Sequence, residues 1–428
     1  MLNHEELATK GSKIRRDLEN RRAWGLLKTT KAKNVNSVVE INLHQKELRI
    51  IPDLKEFCSL KKLDVSCNKL KELNFISSNK ALTTLVVYDN ELLNLDGISQ
   101  IYSLITLHAQ YNRITNIDTC FQKLSQLTDL RLDDNEIKTV SAKALSQCTA
   151  LTNLDLSYNM LGHVEFLSEL PNLSCLTLNH NRLQSIEPLA RCPKLRELDV
   201  SDNLLTSSGL EYEGFDQLER INLSNNKIAR LGREIRARNS VTALFLNNNQ
   251  LHDLPKLYEY LPSIDVLEIS SNKFIIFDDL LDSISGCENL RELSLHGNPF
   301  TEEEKGVISL AKTVKKKLPN IVCLNSVFID AILEPNELSK TTSDTTHQRE
   351  LYSLIEEQIT HLSSLTAPLE ESLNKSFTAL QDVLNRLDIE ESTEESGKVT
   401  EDQLKNSDLD SNENFLTPKA SPAAGDNM

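Results

Sequence analysis

The chain has 428 residues, 47 of them Lys or Arg and 63 Asp or Glu, which leaves a net charge of −16. That balance argues against direct nucleic-acid binding, which needs a net basic surface. No apolar run approaches the roughly 18 residues that cross a bilayer, and the opening MLNHEELATKGSKIRRDLENRR lacks the apolar core of a secretory signal.

Residues 1–33 carry nine basic and four acidic side chains, a local +5. Leu2, Leu7, Ile14, Leu18, Trp24, Leu26 and Leu27 are scattered among those charges. The spacing predicts a basic helical segment over 1–36, able to lay an apolar stripe over the core beyond it.

From Val38 one string recurs. LKKLDVSCNKL (60–70) returns as LTTLVVYDNEL, LITLHAQYNRI, LTDLRLDDNEI, LTNLDLSYNML, LSCLTLNHNRL and LRELDVSDNLL. It continues as LERINLSNNKI, VTALFLNNNQL, IDVLEISSNKF and LRELSLHGNPF, and VVEINLHQKEL opens the series with Lys46 in place of the Asn. The Asn column falls at 68, 90, 112, 135, 159, 181, 203, 226, 249, 272 and 298. Eleven in-register copies of LxxLxLxxNxL with a period of 22 to 26 residues specify a leucine-rich-repeat solenoid of about twelve coils. The expected class is α/β, with a parallel β-sheet on the concave face, short helices or 3-10 turns on the convex face and a helical C-terminal extension. LxL is a short strand with both leucines inward. The Asn at the bend should pair its amide with backbone groups of its own and the neighbouring coil.

The eight Cys lie apart, with no CxxC, as reduced thiols of a cytosolic or nuclear protein do. Cys58, Cys148, Cys192 and Cys287, two or three residues before a repeat's first Leu, are expected to be small buried fillers. A solenoid end exposes core and needs a cap. After Asn298, NPFTEEEKGVISLAKTVKKKLPNIVCLN predicts a helix over about 302–317 and a last coil carrying Leu318, Ile321 and Leu324. The domain reading is therefore 1–36, a solenoid over 37–330, a linker over 331–346, amphipathic helices over 347–388 and an acidic disordered tail over 389–428.

The helices of 347–388 are inferred from apolar steps of three and four in LYSLIEEQITHLSSLTAPLEESLNKSFTALQDVLNRL, broken near Pro368. They dock on the solenoid's side, pair with another chain as a short coiled coil, or stay only partly ordered. Residues 331–428 hold twenty acidic and seven basic side chains, so most of the net charge lies there. Thr417–Pro418 and Ser421–Pro422 are candidate phosphorylation sites in the tail.

With its 22-residue period, LxxLxLxxNxI frame and terminal NPF…LPNIVCLN, the chain resembles the intracellular leucine-rich-repeat proteins typified by the regulatory subunit of protein phosphatase 1. That group also includes the outer-arm dynein light chain and a spliceosomal ribonucleoprotein subunit. The resemblance covers about 38–330. It implies an intracellular, non-catalytic protein that binds other proteins, either as a phosphatase regulator or as a component of a cilium, axoneme or centrosome. The longer units and the segment LGREIRARNS depart from the phosphatase subunit's rhythm.

No phosphate loop, HExxH or GxSxG occurs, so no catalytic residue, cofactor or metal site is assigned. The outward positions of each unit are the residue before the second Leu, the x of LxL and the two after the LxL. Twelve acids occupy them against Lys62, Arg131 and Arg220, and seven of the twelve fall in units five to eight. Tyr88, Asp89, His108, Tyr111, Asp129, Arg131, Asp133, Asp134, Asp155, Tyr158, His180, Glu197, Asp199, Asp202 and Phe245 are the candidate partner-binding residues. The expected partner is a protein with a basic surface. Against this stands the plainer reading that an acidic protein has acidic surfaces everywhere. Nothing in the sequence fixes the oligomeric state.

Overall fold

In the computed structural model, the described residues are 21–23, 25–27 and 35–333, apart from 142, 169, 232–237 and 304–305. The linker beyond 333, the helices of 347–388, the acidic tail and most of the N-terminal segment lie outside them. Residues 1–340 and 341–428 form two separate units, and only the first contains described residues.

Each repeat places a three-residue strand in one continuous sheet. The strands run Glu40–Asn42, Lys62–Asp64, Thr84–Val86, Thr106–His108, Asp129–Arg131, Asn153–Asp155, Cys175–Thr177, Glu197–Asp199, Arg220–Asn222, Ala243–Phe245, Val266–Glu268 and Glu292–Ser294. These define coils 1 to 12. Neighbouring strands pair in parallel and in register, which stacks Ile41, Leu63, Leu85, Leu107, Leu130 and their successors in one inward column. Every side chain of that column is at most 2% exposed. Burying one Leu is worth about 1.5–3 kcal/mol. Because each coil buries its leucines only against its neighbours, stability accumulates coil by coil.

Three further columns close each coil. Val65, Leu132, Leu156 and Val200 complete the LxL pair, and Leu70, Ile137, Leu161 and Leu205 come two residues after the Asn. The third column lies three residues before the repeat's first Leu and contains Phe57, Ile101, Leu124, Cys148, Leu170, Cys192, Phe215, Leu261 and Cys287, all buried. This column corrects one expectation. Cys148, Cys192 and Cys287 sit in it and are buried fillers, but Cys58 is one residue later and is exposed, because Phe57 takes the inward place.

The eleven Asn are all buried, and each holds two coils together. Asn159 is typical: its Nδ2 donates to the carbonyls of Leu132 (3.0 Å), Leu156 (3.1 Å) and Ser157 (3.0 Å). Its Oδ1 accepts the Ile137 N–H at 2.9 Å from the preceding coil. The side chain thus supplies hydrogen bonds that a chain bending out of a strand cannot supply itself.

On the convex side the chain forms 3-10 turns in the early coils, including Asn74–Ile76, Asp96–Ile98, Thr119–Phe121, Glu165–Leu167 and Glu187–Arg191. Short α-helices replace them later: α1 (Leu257–Tyr260) and α2 (Phe277–Ile284). The 26-residue interval from Asn272 to Asn298 provides the room for α2. A second parallel pair, Asn116–Ile117 with Thr139–Val140, joins coils 4 and 5 on this side and had no sequence signal.

Both ends of the described array are covered. At the front, residues 21–23 and 25–27 are helical, with Ala23 and Leu27 buried in the core. At the back, the expected single helix is two: α3 (Phe300–Glu303) and α4 (Val307–Lys317), with Gly306 between them at φ 98°. Leu310, Ala311 and Val314 of α4 are buried, as are Leu318, Ile321 and Leu324. Cys323–Leu324 extends the sheet in parallel, and Val327–Phe328 folds back on it antiparallel, so the last parallel edge is paired. A final turn, α5 (Ile329–Leu333), crosses the position where the linker was expected to start.

Candidate protein-interaction face

Strand alternation leaves the concave face to the residue before the second Leu and the x of LxL. Past the strand, the backbone at the bend sets which way each side chain faces. In every coil the residue just before the Asn position adopts the left-handed conformation. Gln45, Cys67, Asp89, Tyr111, Asp134, Tyr158, His180, Asp202, Asn225, Asn248, Ser271 and Gly297 have φ between 52° and 70°. This turn directs the residue before it inward and the left-handed residue outward. The first position after LxL is therefore mostly buried: Ser66, Gln110, Asp133, Ser157, Ser201, Ser224 and Ser270 are at most 8% exposed. Those seven coils present three outward positions, not four, while His44, Tyr88, Asn179, Asn247 and His296 stay half-buried or exposed in the other five.

Asp133 is the candidate this corrects most. It was expected outward but is 4% exposed, beneath Arg131. Arg131 grips it with two hydrogen bonds, Nε to Oδ1 at 3.2 Å and Nη2 to Oδ2 at 3.0 Å, and reaches Asp155 at 3.9 Å. Burial first, then the neighbouring Asp155 charge, still push the Asp133 carboxyl above its usual range despite that guanidinium. The pair cancels the one strong base at the outward strand and bend positions of coils 5 to 8 against a carboxylate that no partner reaches.

Six carboxylates are left on that stretch of face: Asp129, Asp134, Asp155, Glu197, Asp199 and Asp202, all exposed or half-buried. Asp155 and Asp199 also hold the bend. Each accepts the N–H and hydroxyl of the Ser two residues on, at 3.0 and 2.6 Å for Ser157 and 2.9 and 2.7 Å for Ser201. Asn222 does the same for the Ser224 N–H without a charge, so the carboxylate is not required for the turn. Asp129 lies 3.5 Å from His108 Nε2. Burial chiefly holds His108 below its ordinary range, against the Asp129 charge and together with that of Arg131.

The left-handed column forms a ladder of its own. Tyr158 stacks on His180 with ring centres 4.1 Å apart, and His180 Nε2 is 3.6 Å from Asp202. Asn225 donates to Asp202 at 3.1 Å and Asn248 to Asn225 at 2.7 Å. Tyr111 and Tyr158 are 48% and 49% exposed, well above most large apolar side chains of the molecule. Tyr88 is half-buried, and Asp89 beside it is exposed.

Beyond this ladder the strands of coils 7 to 10 enclose an open hollow of about 350 Å³, lined by Cys175, Thr177, Glu197, Asp199, Arg220, Asn222 and Phe245. The Arg220 guanidinium lies over the Phe245 ring at 5.5 Å. Cys175 Sγ points to Glu197 Oε2 at 3.8 Å, and burial, then Glu197, push its thiol up to about 11, so it stays a protonated wall of the hollow. Cys175, Thr177 and Asn222 were not among the candidates. Their only sequence signal was their place at outward positions, which the acid count passed over. Among the described residues no three His, Cys, Asp or Glu converge as a metal site needs, and no helix is long and apolar enough to cross a membrane.

The sequence matches a leucine rich repeat family model over residues 102–161 and a second, two-copy leucine rich repeat model over 171–212. No curated protein matches it. Among solved structures it is similar to an internalin (inlF) from Listeria monocytogenes, with 18% identity, 72% of this chain and 94% of that chain covered and a TM-score of 0.54. It is also similar to the leucine-rich repeat domain of APL1, with 21% identity, 61% and 69% coverage and a TM-score of 0.51. At these identities the likeness concerns the fold. Domains of this kind generally mediate protein–protein interaction and are typically non-catalytic. The Asn-anchored coils, the continuous parallel sheet and the matched repeat models together show that the described residues form a leucine-rich-repeat solenoid.

Proposed function

We propose that this protein is a non-catalytic interaction module that holds a basic surface of a partner protein against the concave face of coils 4 to 8. The observation that carries this reading is the charge pattern left after the Arg131–Asp133 pair is formed. Six carboxylates face outward there, and the one guanidinium among them is already spent on a buried acid. Like charges on parallel strands about 5 Å apart repel one another, a cost that a cationic partner removes on binding. The field of such a face also raises the association rate and makes it salt-sensitive. Tyr111 and Tyr158 supply exposed aromatic area of the type that anchors interfaces.

The test removes charge without disturbing the turn. Asp129→Asn, Asp134→Asn and Glu197→Gln together keep shape and hydrogen-bonding capacity. The full chain carrying them should lose the partners that the wild-type chain retains in affinity purification. An unchanged set of partners would place the binding surface elsewhere. The identity of the retained protein then separates the two forms of this role. A stoichiometric phosphatase catalytic subunit supports a phosphatase regulator, the form favoured by the 22-residue frame and the terminal cap. Co-sedimentation with microtubules supports a cytoskeletal or ciliary component.

A further inference from the structure

An acidic face alone leaves open which basic side chain it prefers, and the neighbourhood of Tyr158 bears on that. One face of the Tyr158 ring is covered by His180, at 4.1 Å between centres and 22° between planes. His180 is braced in turn by Asp202 at 3.6 Å, so the ring is backed on the side of coil 7. The other side turns toward coil 5, and the ring remains 49% exposed. The residue at the equivalent position of coil 5 is Asp134, one strand spacing of about 4.8 Å away. Asp134 is half-buried, with Asp155 as a charged neighbour and Tyr111 close by on its far side. Of the bases around Asp134, His180 is stacked on Tyr158 and Arg131 is held by Asp133.

An aromatic face backed on one side and flanked by a carboxylate at one strand spacing matches a planar cation. A guanidinium can stack on the ring while its edge donates to the carboxylate. An ammonium offers the same charge without the flat face or the forked donors. We infer that Tyr158 and Asp134 form an arginine-selective subsite of the concave face, taking the guanidinium of one arginine from the bound protein. The inference rests on the concave face being the binding surface.

The subsite is tested with two short Gly–Ser peptides of equal charge, one carrying four arginines and the other four lysines at the same positions. Each is titrated calorimetrically into the full chain at low salt. The wild-type chain should bind the arginine peptide about tenfold more tightly than the lysine peptide. Tyr158→Asn should bring the arginine peptide down to the lysine peptide's affinity and leave the lysine peptide unchanged. Asn is the residue the fold itself uses at this position in coils 9 and 10, so this variant keeps the turn. Tyr158→Phe, which preserves the ring, should keep the preference. Asp134→Asn should weaken the arginine peptide more than the lysine peptide. Equal affinity of the two peptides for the wild-type chain, or a preference that survives Tyr158→Asn, overturns the subsite while leaving the acidic-face reading standing. If neither peptide binds, that reading falls as well, and the subsite with it.

Discussion

Replacing Asn159 by Ala tests how the coils are joined. The substitution removes three donated hydrogen bonds and one accepted one. Leu132 O keeps a bond from Asn135 at 3.0 Å, Ser157 O keeps one from the Asp134 N–H at 3.1 Å and Leu156 O keeps one from Asn181 at 2.9 Å. The Ile137 N–H keeps none of the kind, since Asn159 Oδ1 is its partner and the site is buried. One orphaned buried N–H costs about 2 kcal/mol, and the net loss of the remaining bonds adds about 1 kcal/mol, for a total near 3 kcal/mol. Urea denaturation of the full chain, monitored by circular dichroism, reads the change. Asn153→Ala, on the exposed strand position of the same coil, serves as control and should stay within about 0.5 kcal/mol. A loss below about 1 kcal/mol at Asn159 would show that the leucine columns, and not the Asn ladder, hold neighbouring coils in register.

The same geometry carries other expectations. The carboxyls of Asp133 and Asp134 are raised by burial first and by Asp155 second. They hold their protons more firmly folded than unfolded, so their contribution to stability is present at acid pH and fades as pH rises through their folded values. Asp155→Asn should therefore raise the melting temperature more near pH 7 than near pH 2.5, where the carboxyls of Asp133 and Asp134 hold their protons in either state; equal shifts at both pH values would contradict this. Tyr158→Asn relieves a bulky left-handed residue and should stabilise the chain by roughly 0.5–1 kcal/mol, measured in the same urea titration, while losing the arginine preference. A stability loss there would mean that the Tyr158–His180 stack supports the coil. In timed alkylation read by mass spectrometry, exposed Cys58 should label in the native protein. Cys148 and Cys192, buried, with thiols pushed up to about 12 and about 11 by that burial, should label only on unfolding; early labelling of Cys148 would contradict the packing of its column.

The fold was legible because its strongest constraint is periodic. Each Asn must bridge two coils, so it returns at fixed intervals, and the leucines return with it. The faces of the strands were legible for the same reason, since alternation is a property of extended backbone. Alternation stops at the bend, and there the sequence reading failed. The left-handed residue before each Asn shifts the facing by one position, which buries Asp133 and exposes Asp134 to the partner side. A clue was present: the buried position is Ser in coils 2, 6, 8, 9 and 11, a short polar residue suited to accept and donate within a turn. The Arg131–Asp133 pair had no such clue, because ion pairing at i, i+2 depends on this bend. Cys58 differs from the other three cysteines only by one residue of register, and Phe57 beside it shows which of the two fills the core. The break at Gly306 and the convex pair Asn116–Ile117 with Thr139–Val140 depend on packing between neighbouring coils, which a repeat frame does not encode.

The most direct test of the central claim is zero-length carbodiimide crosslinking of the full chain to a purified partner. This chemistry joins partner lysines to carboxylates in contact with them. The account predicts links to Asp129, Glu197 and Asp202 on the concave face. Links confined to carboxylates away from that sheet, such as Glu56, Asp96 or Glu187, would contradict it.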